Sequence, residues 1–132
     1  MGIKKYQDRI IYQIYPKSFR DSNGDGIGDL RGIIGKLEYL KDLGVNTIWL
    51  NPIFVSPQVD NGYDVSNYYA LDEKMGTLHD FDEFVETAHS LGLDVILDFV
   101  MNHTSDKHPW FKDAIANERS LYRDYYLWAK GK

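Results

Sequence analysis

Three stretches gather side chains suited to binding chemistry: "DSNGDGIGD" (21–29), "DNGYD" (60–64) and "DFVMNHTS" (98–105). In the first, the oxygen-bearing Asp21, Asn23, Asp25 and Asp29 alternate with small residues, and Gly24, Gly26 and Gly28 let the backbone curl. A hard cation takes about six to eight oxygen ligands, so the pattern reads as a cation loop to which the Ile27 carbonyl adds a ligand. Calcium is the expected ion, with magnesium the alternative. The competing reading is an Asp/Gly-rich turn without metal.

The loop resembles the first half of an EF-hand, but Gly32 stands where the bidentate Glu belongs and a strand precedes it. In the second stretch, Asn61-Gly62 is a strong turn signal that sets Asp60 and Tyr63 on one side of a tight bend. Such a pair suits a sugar: a carboxylate accepts hydrogen bonds from neighbouring hydroxyls, and a phenol ring covers an apolar pyranose face. Taken alone, the stretch reads more readily as a solvated turn. In the third, Asp98 lies in an apolar run, where a carboxylate needs a cation or several donors to offset desolvation. Its plain alternative is a strand-end acid facing water. His103 alone reads as structural; with Asn102 beside it, at the mouth of the strand that carries Asp98, it points to a site.

The elements that must position these groups follow a regular order. "IIYQIY" (10–15), "VNTIWL" (45–50) and "LDVILDFV" (93–100) read as strands. Between them, Leu30, Ile33, Ile34, Leu37, Leu40 and Leu43 give one helix, with Asp29 as N-cap and Gly44 as stop. Phe81, Phe84, Val85, Ala88 and Leu91 give a second, which Gly92 stops. Gly32 and Gly35 weaken the first helix, each by roughly 1 kcal/mol against Ala. A third helix is expected in "HPWFKDAIANE", with Pro109 in its first turn. The βαβαβ order predicts a parallel sheet with right-handed crossovers, in which ligand groups sit beyond the carboxyl ends of the strands. All three chemical stretches leave such ends. The connection of about thirty residues after Leu50 far exceeds the usual 2–6 for such loops, and its aromatic content argues for an ordered functional loop. "RSLYRDYYLWAKGK" carries Tyr122, Tyr125, Tyr126 and Trp128 with no single period; core is the default reading, with subsite and partner surface open.

Composition removes several functions. Net charge is −5 over 132 residues, with no basic tract, which argues against nucleic acid as partner. No run of 18 apolar residues suggests a membrane span, and no signal-length apolar stretch follows the start. Gly2 is followed by Tyr6 where myristoylation wants Ser or Thr. Zero cysteines exclude a disulfide framework, a thiolate metal site and a cysteine nucleophile, and fit a cytoplasmic location.

Taken in order, "IIYQIYPKSFRDSNGDGIGDLRGI", "NPIFVSP", "DNGYDVSNYYAL", "GTLHDFDEFV" and "DFVMNHTS" resemble the α-amylase family of glycoside hydrolases. The resemblance extends from about Ile10 to Trp128. It is strongest with the oligosaccharide branch: oligo-1,6-glucosidases, dextran glucosidases, trehalose-6-phosphate hydrolases and sucrose isomerases, with a lean toward the trehalose-6-phosphate hydrolases. It implies an α/β fold made of the first three βα units of a (β/α)₈ barrel: residues 1–104 in the barrel, and 105–132 opening the insert domain after the third strand. It also implies a calcium site at Asp21, Asn23, Asp25, Ile27 and Asp29. Asp60 and His103 would bond glucose hydroxyls, Tyr63 would stack on the sugar, and Asp98, with Asn102, would support the floor by holding an arginine from another strand end.

The same resemblance places the nucleophile and the acid/base, which retaining enzymes need about 5–5.5 Å apart, in motifs absent from these residues. A whole barrel takes about 250 residues, so the chain is expected to be an amino-terminal piece, to need the remainder of the barrel as partner, and to cleave nothing alone. The substrate expected for the whole is a short α-glucoside or a phosphorylated disaccharide. Alternatives are a non-catalytic calcium-dependent carbohydrate-binding module, an inactive remnant, or a relative of amino-acid-transporter heavy chains. Against the last stand the intact "DNGYD" and the lack of a span before Ile10.

Overall fold

β-Branched and aromatic runs dictate the strands, and glycines and prolines cut the helices between them. The computed structural model describes residues 5–131. In chain order its elements are β1 (Ile11–Ile14), α1 (Pro16–Phe19), α2 (Leu30–Ile34), α3 (Leu37–Asp42), β2 (Thr47–Leu50), β3 (Phe54–Val55), β4 (Asn67–Leu71), α4 (Leu78–Ser90), β5 (Asp94–Leu97) and α5 (Pro109–Ala116), with 3₁₀ turns at Tyr6–Asp8 and Arg123–Tyr125. They fall into two compact units. The first joins the chain up to Ile53 with Leu71–Asp98; the second joins Phe54–Ala70 with the chain from Phe99 on.

The first unit holds a parallel sheet in the order β1-β2-β5. Ile11 pairs with Thr47 and Ile14 with Leu50, while Thr47 pairs with Asp94 and Leu50 with Leu97. The expected strand–helix alternation is therefore present, with each strand shorter than its apolar run. Only the central strand is covered along most of its length: Ile48 and Leu50 are fully buried, whereas Ile11 and Ile96 on the flanking strands stay partly exposed. At the amino ends of the strands, Arg9 donates to Thr47 Oγ1 (2.9 Å) and Asp94 Oδ2 (2.8 Å), which ties the three strands together.

Ile14, Leu30, Ile33, Leu37, Leu40, Ile48, Phe84 and Ala88 form the core of this unit. Phe84 and Ala88, four apart on α4, face it together, and burying a side chain such as Phe84 stabilises by roughly 1.5–3 kcal/mol. The helix expected over 30–43 is broken in two. Gly35 caps α2 by donating to the Arg31 carbonyl, and Lys36 leaves helical geometry at φ −113° and ψ 2° before α3 begins. Two glycines in one turn leave too little helix propensity to carry the segment through. At the start of α4, Thr77 Oγ1 accepts from Asp80 N (3.1 Å), and Asp80 Oδ2 accepts from Thr77 N (2.9 Å). Asp80 also pairs with Arg31 of α2 at 2.8 Å, and Arg31 reaches Glu83 at 2.7 Å. Thr77→Ala is expected to lower stability by about 1 kcal/mol, read as a lower urea midpoint at constant slope.

The second unit is aromatic. Its short sheet pairs β3 with β4. Tyr68 sits among Phe54 (6.2 Å between centroids), Phe99 (5.8 Å), His108 (5.6 Å) and Trp110 (6.0 Å). These contacts draw 54–70 to the chain after Phe99. α5 starts as read: His108 Nδ1 accepts from Trp110 N and Pro109 takes the first turn. The closing aromatic stretch packs on α5. Tyr122 and Tyr125 lie against Trp110, and Tyr126 and Trp128 against Phe111. Among the described residues no helix is long and apolar enough to cross a membrane.

Candidate functional site

The acidic loop belongs to the first unit. Asp21 Oδ1 accepts from Asn23 N (3.0 Å) and Gly24 N (2.8 Å), and Oδ2 from Gly26 N (2.8 Å). Asn23 Oδ1 accepts from Asp25 N and Asp25 Oδ1 from Ile27 N, so the loop winds by successive side-chain turns. Gly24 and Gly26 supply the left-handed backbone that this requires, at φ 79° and 86°. The Gly26 N–H, working against desolvation and aided by Gly24 and Asn23, holds the Asp21 carboxyl below its ordinary range. Asp29 is buried and caps α2 as expected, accepting from Gly32 N (2.8 Å) and from Ser22 N (3.2 Å). A carboxylate oxygen has two lone pairs, so capping does not preclude coordination. Among the described residues no three carboxylate or imidazole side chains form a ready-made metal centre. A hard cation here would draw on mixed donors, the carboxylates of Asp21, Asp25 and Asp29 with the Asn23 amide and the Ile27 carbonyl.

In the second unit the turn forms as its sequence dictates. Asn61 (φ 54°) and Gly62 (φ 95°) are both left-handed, and Tyr63 N donates to Asp60 O at 3.0 Å, which makes a primed turn. Asp60 is exposed and Tyr63 half-buried. His103 joins them: its Nε2 lies 3.1 Å from the Tyr63 carbonyl, and its Nδ1 lies 3.1 Å from Asn102 Nδ2. A carbonyl only accepts, so the ring proton is on Nε2, and Nδ1 accepts from the Asn102 amide. Asn102 thus orients the imidazole. Asn102 and His103 also line an aromatic-walled cleft of about 790 Å³ with Tyr68, Trp110, Phe111 and Tyr126.

Asp98 corrects an expectation. β5 ends at Leu97, so Asp98 lies one residue past the strand and is half-buried rather than sealed in the sheet. Its N–H donates to the Leu50 carbonyl at 3.0 Å, the last tie to β2. As the flank of a three-stranded sheet, β5 is less covered than its apolar sequence suggests. Two residues escaped the sequence reading. Asp64, 9% exposed, accepts from Ser56 Oγ, Val59 N and Asp60 N. Burial would raise its carboxyl, but the Asp60 N–H, the Ser56 hydroxyl and the Val59 N–H outweigh it and hold it below the usual range. The Tyr68 hydroxyl points to the carbonyls of Val100 (2.6 Å) and His103 (3.0 Å), and burial pushes it up. The last Asp of "DNGYD", just past an Asn-Gly turn, was a signal for the first; nothing local marks Tyr68.

A family model described as the alpha amylase catalytic domain matches residues 13–132. The chain belongs to the alpha-amylase family. Similar members include the trehalose-6-phosphate hydrolase of Escherichia coli, 58% identical over 127 residues, which make up 96% of this chain and 23% of that protein. The probable oligo-1,6-glucosidase 2 of Bacillus subtilis is 55% identical over 126 residues, 96% of this chain and 22% of that protein. The solved trehalose-6-phosphate hydrolase of Bacillus licheniformis superposes with a TM-score of 0.89 at 55% identity, over 94% of this chain and 22% of that one. The chain thus spans somewhat over a fifth of the length of these alpha-amylase relatives, and the partial α/β unit with its parallel sheet is what it shares with them.

Proposed function

We propose that this chain supplies the glucose-gripping rim of a retaining α-glucosidase that acts on short α-linked glucosides, either isomalto-oligosaccharides or trehalose 6-phosphate. The observation that carries this is the bond from His103 Nε2–H to the Tyr63 carbonyl, which makes one constellation of two separate motifs. In this reading Asp60, exposed on the turn, accepts hydrogen bonds from two neighbouring hydroxyls. The Tyr63 ring covers a pyranose face, and His103, oriented by Asn102, bonds a further hydroxyl. Asp98, past the end of β5, holds an arginine from another strand end. The three parallel strands are the first of a (β/α)₈ barrel whose remaining strands carry the nucleophile and the acid/base. The relatives named as an oligo-1,6-glucosidase and a trehalose-6-phosphate hydrolase support both substrate classes. The cysteine-free sequence fits work in the cytoplasm.

Titration of the chain with isomaltose and with trehalose 6-phosphate, followed by NMR, tests this reading. Binding that shifts the Tyr63 and His103 signals is expected, with Asp60→Ala weakening it at least about tenfold, or about 1.4 kcal/mol. The better ligand of the two assigns the substrate class. Residues 1–132 alone should release no glucose from either. A chain that ignores both sugars, or binds them equally well as Asp60→Ala, overturns the reading.

Calcium, or magnesium in its place, would be held by Asp21, Asn23, Asp25 and the Ile27 carbonyl, with Asp29 adding an oxygen behind its cap; the ion would brace the loop between α1 and α2. At free calcium ten times its dissociation constant the fold should gain about 1.4 kcal/mol. Thermal melts with and without each ion measure the gain, and Asp21→Asn should abolish it. An ion-independent melting temperature would leave the loop a metal-free turn.

A further inference from the structure

We propose that Asp64 is a positioning residue that fixes the Asp60–Tyr63 turn and, through the Tyr63 carbonyl, the orientation and proton placement of His103. The inference rests on the sugar reading only for its purpose; its geometry stands apart. Asp64 follows the turn directly and its carboxylate reaches back over it. Oδ1 accepts from Ser56 Oγ (2.9 Å) and Asp60 N (3.0 Å), and Oδ2 from Val59 N (2.9 Å). These donors lie on the approach to the turn, so the carboxylate fixes the point at which the chain enters it. The turn then closes on itself through Tyr63 N and Asp60 O, at 3.0 Å.

The far side of the turn presents the Tyr63 carbonyl to His103 Nε2 at 3.1 Å. That acceptor selects the Nε2–H tautomer, and Asn102 Nδ2, 3.1 Å from Nδ1, completes the selection. The backbone of His103 is held separately, since the Tyr68 hydroxyl lies 3.0 Å from its carbonyl. Loosening the turn therefore leaves the histidine in place but removes the partner that sets its tautomer. An ionised carboxylate suits the post because two oxygens meet three donors. An amide keeps one oxygen, enough for Ser56 and Asp60, and turns an N–H₂ toward the Val59 N–H. Alanine keeps none.

The test is long-range ¹H–¹⁵N NMR of the His103 ring in the whole chain, with methyl α-glucoside titrated into the same samples. In the unaltered chain His103 should show the Nε2–H tautomer. Asp64→Ala should give a tautomer mixture and bind the glucoside about tenfold more weakly, and Asp64→Asn should recover most of both. Loss of packing alone would lower the melting temperature without changing the tautomer. An Asp64→Ala chain that keeps its circular dichroism, tautomer and affinity overturns the proposal. If Asp64→Ala does not fold, Ser56→Ala, which removes one of the three bonds, must shift the tautomer in the same direction; no shift overturns it. A tautomer that responds to Asp64 in a chain that binds no glucoside sustains the positioning role and rejects the sugar reading. Glucoside binding with an unmoved tautomer does the reverse.

Discussion

Gly32→Ala should destabilise the first unit by about 2–3 kcal/mol, although alanine is the better helix former by roughly 1 kcal/mol. Gly32 lies buried in α2, where its missing side chain leaves room for another strand of chain. A Cβ built there runs into the Arg20 carbonyl oxygen and comes within 2.8 Å of its carbon and 2.9 Å of Arg20 Cβ. That carbonyl cannot simply yield, because it accepts from Asp29 N at 3.0 Å. Asp29 in turn caps α2 through Gly32 N at 2.8 Å. Relief of the clash must therefore stretch the cap or part α2 from the acidic loop, and either cost exceeds the propensity gain. Gly35 is the control. Its nearest atoms to a new Cβ are 3.6 and 3.8 Å away and its φ is −64°, so Gly35→Ala should stabilise by roughly 0.5–1 kcal/mol. Urea denaturation of the two variants compares them directly. Equal and stabilising effects would mean that the close approach at Gly32 does not govern this part of the fold.

The same glycine marks the boundary of what local pattern reveals. From sequence, Gly32 is a helix-weakening residue; its reason is a backbone contact with Arg20, twelve positions earlier, that no helical period encodes. Where one dominant local rule applies, the reading holds. Asn61-Gly62 must adopt left-handed geometry, Asp29 must cap, and Pro109 must open a helix, and each does. Parallel order follows from strand–helix alternation and is present in the sheet. What failed depended on neighbours. The apolar flanks of Asp98 point to a place within the strand, yet the last residue to pair with β2 is Leu97, which leaves Asp98 at the strand end. The second unit is assembled around Tyr68 by ring contacts with Phe99 and Trp110, residues distant from it along the chain, which no local pattern encodes. Of the candidate site, the exposed groups Asp60, Asn102 and His103 were legible from their types. Asp64 and Tyr68, whose work is done through backbone atoms, were not.

Acidification should weaken the second unit through His108, and the effect should begin near pH 6.5, the ordinary imidazole value. His108 is 3% exposed, and burial lowers its pKa. Its Nδ1 already accepts from Trp110 N at 3.1 Å, which puts the proton of the neutral ring on Nε2. That Nε2 is buried without a hydrogen-bond partner among the described residues, and the imidazole centroid lies 4.2 Å from that of Trp110 and 5.6 Å from that of Tyr68. A second proton must go on Nδ1, which breaks the cap of α5 and buries a cation against aromatic rings. The unfolded chain pays neither cost and so binds the proton more readily. The stability that His108 contributes is accordingly complete above about pH 6.5 and is lost as pH falls toward and through the lowered folded value. His108→Ala, which removes both ring and cap, should cost about 3 kcal/mol at pH 8. His108→Phe separates the two roles: it keeps the ring volume, removes an unsatisfied N–H that costs about 1–3 kcal/mol, and gives up the cap, so at pH 8 it should be far milder than alanine. Its urea midpoint should also fall less than that of the unaltered chain between pH 8 and pH 5. If both chains lose the same stability over that interval, His108 is not the group that takes up the proton.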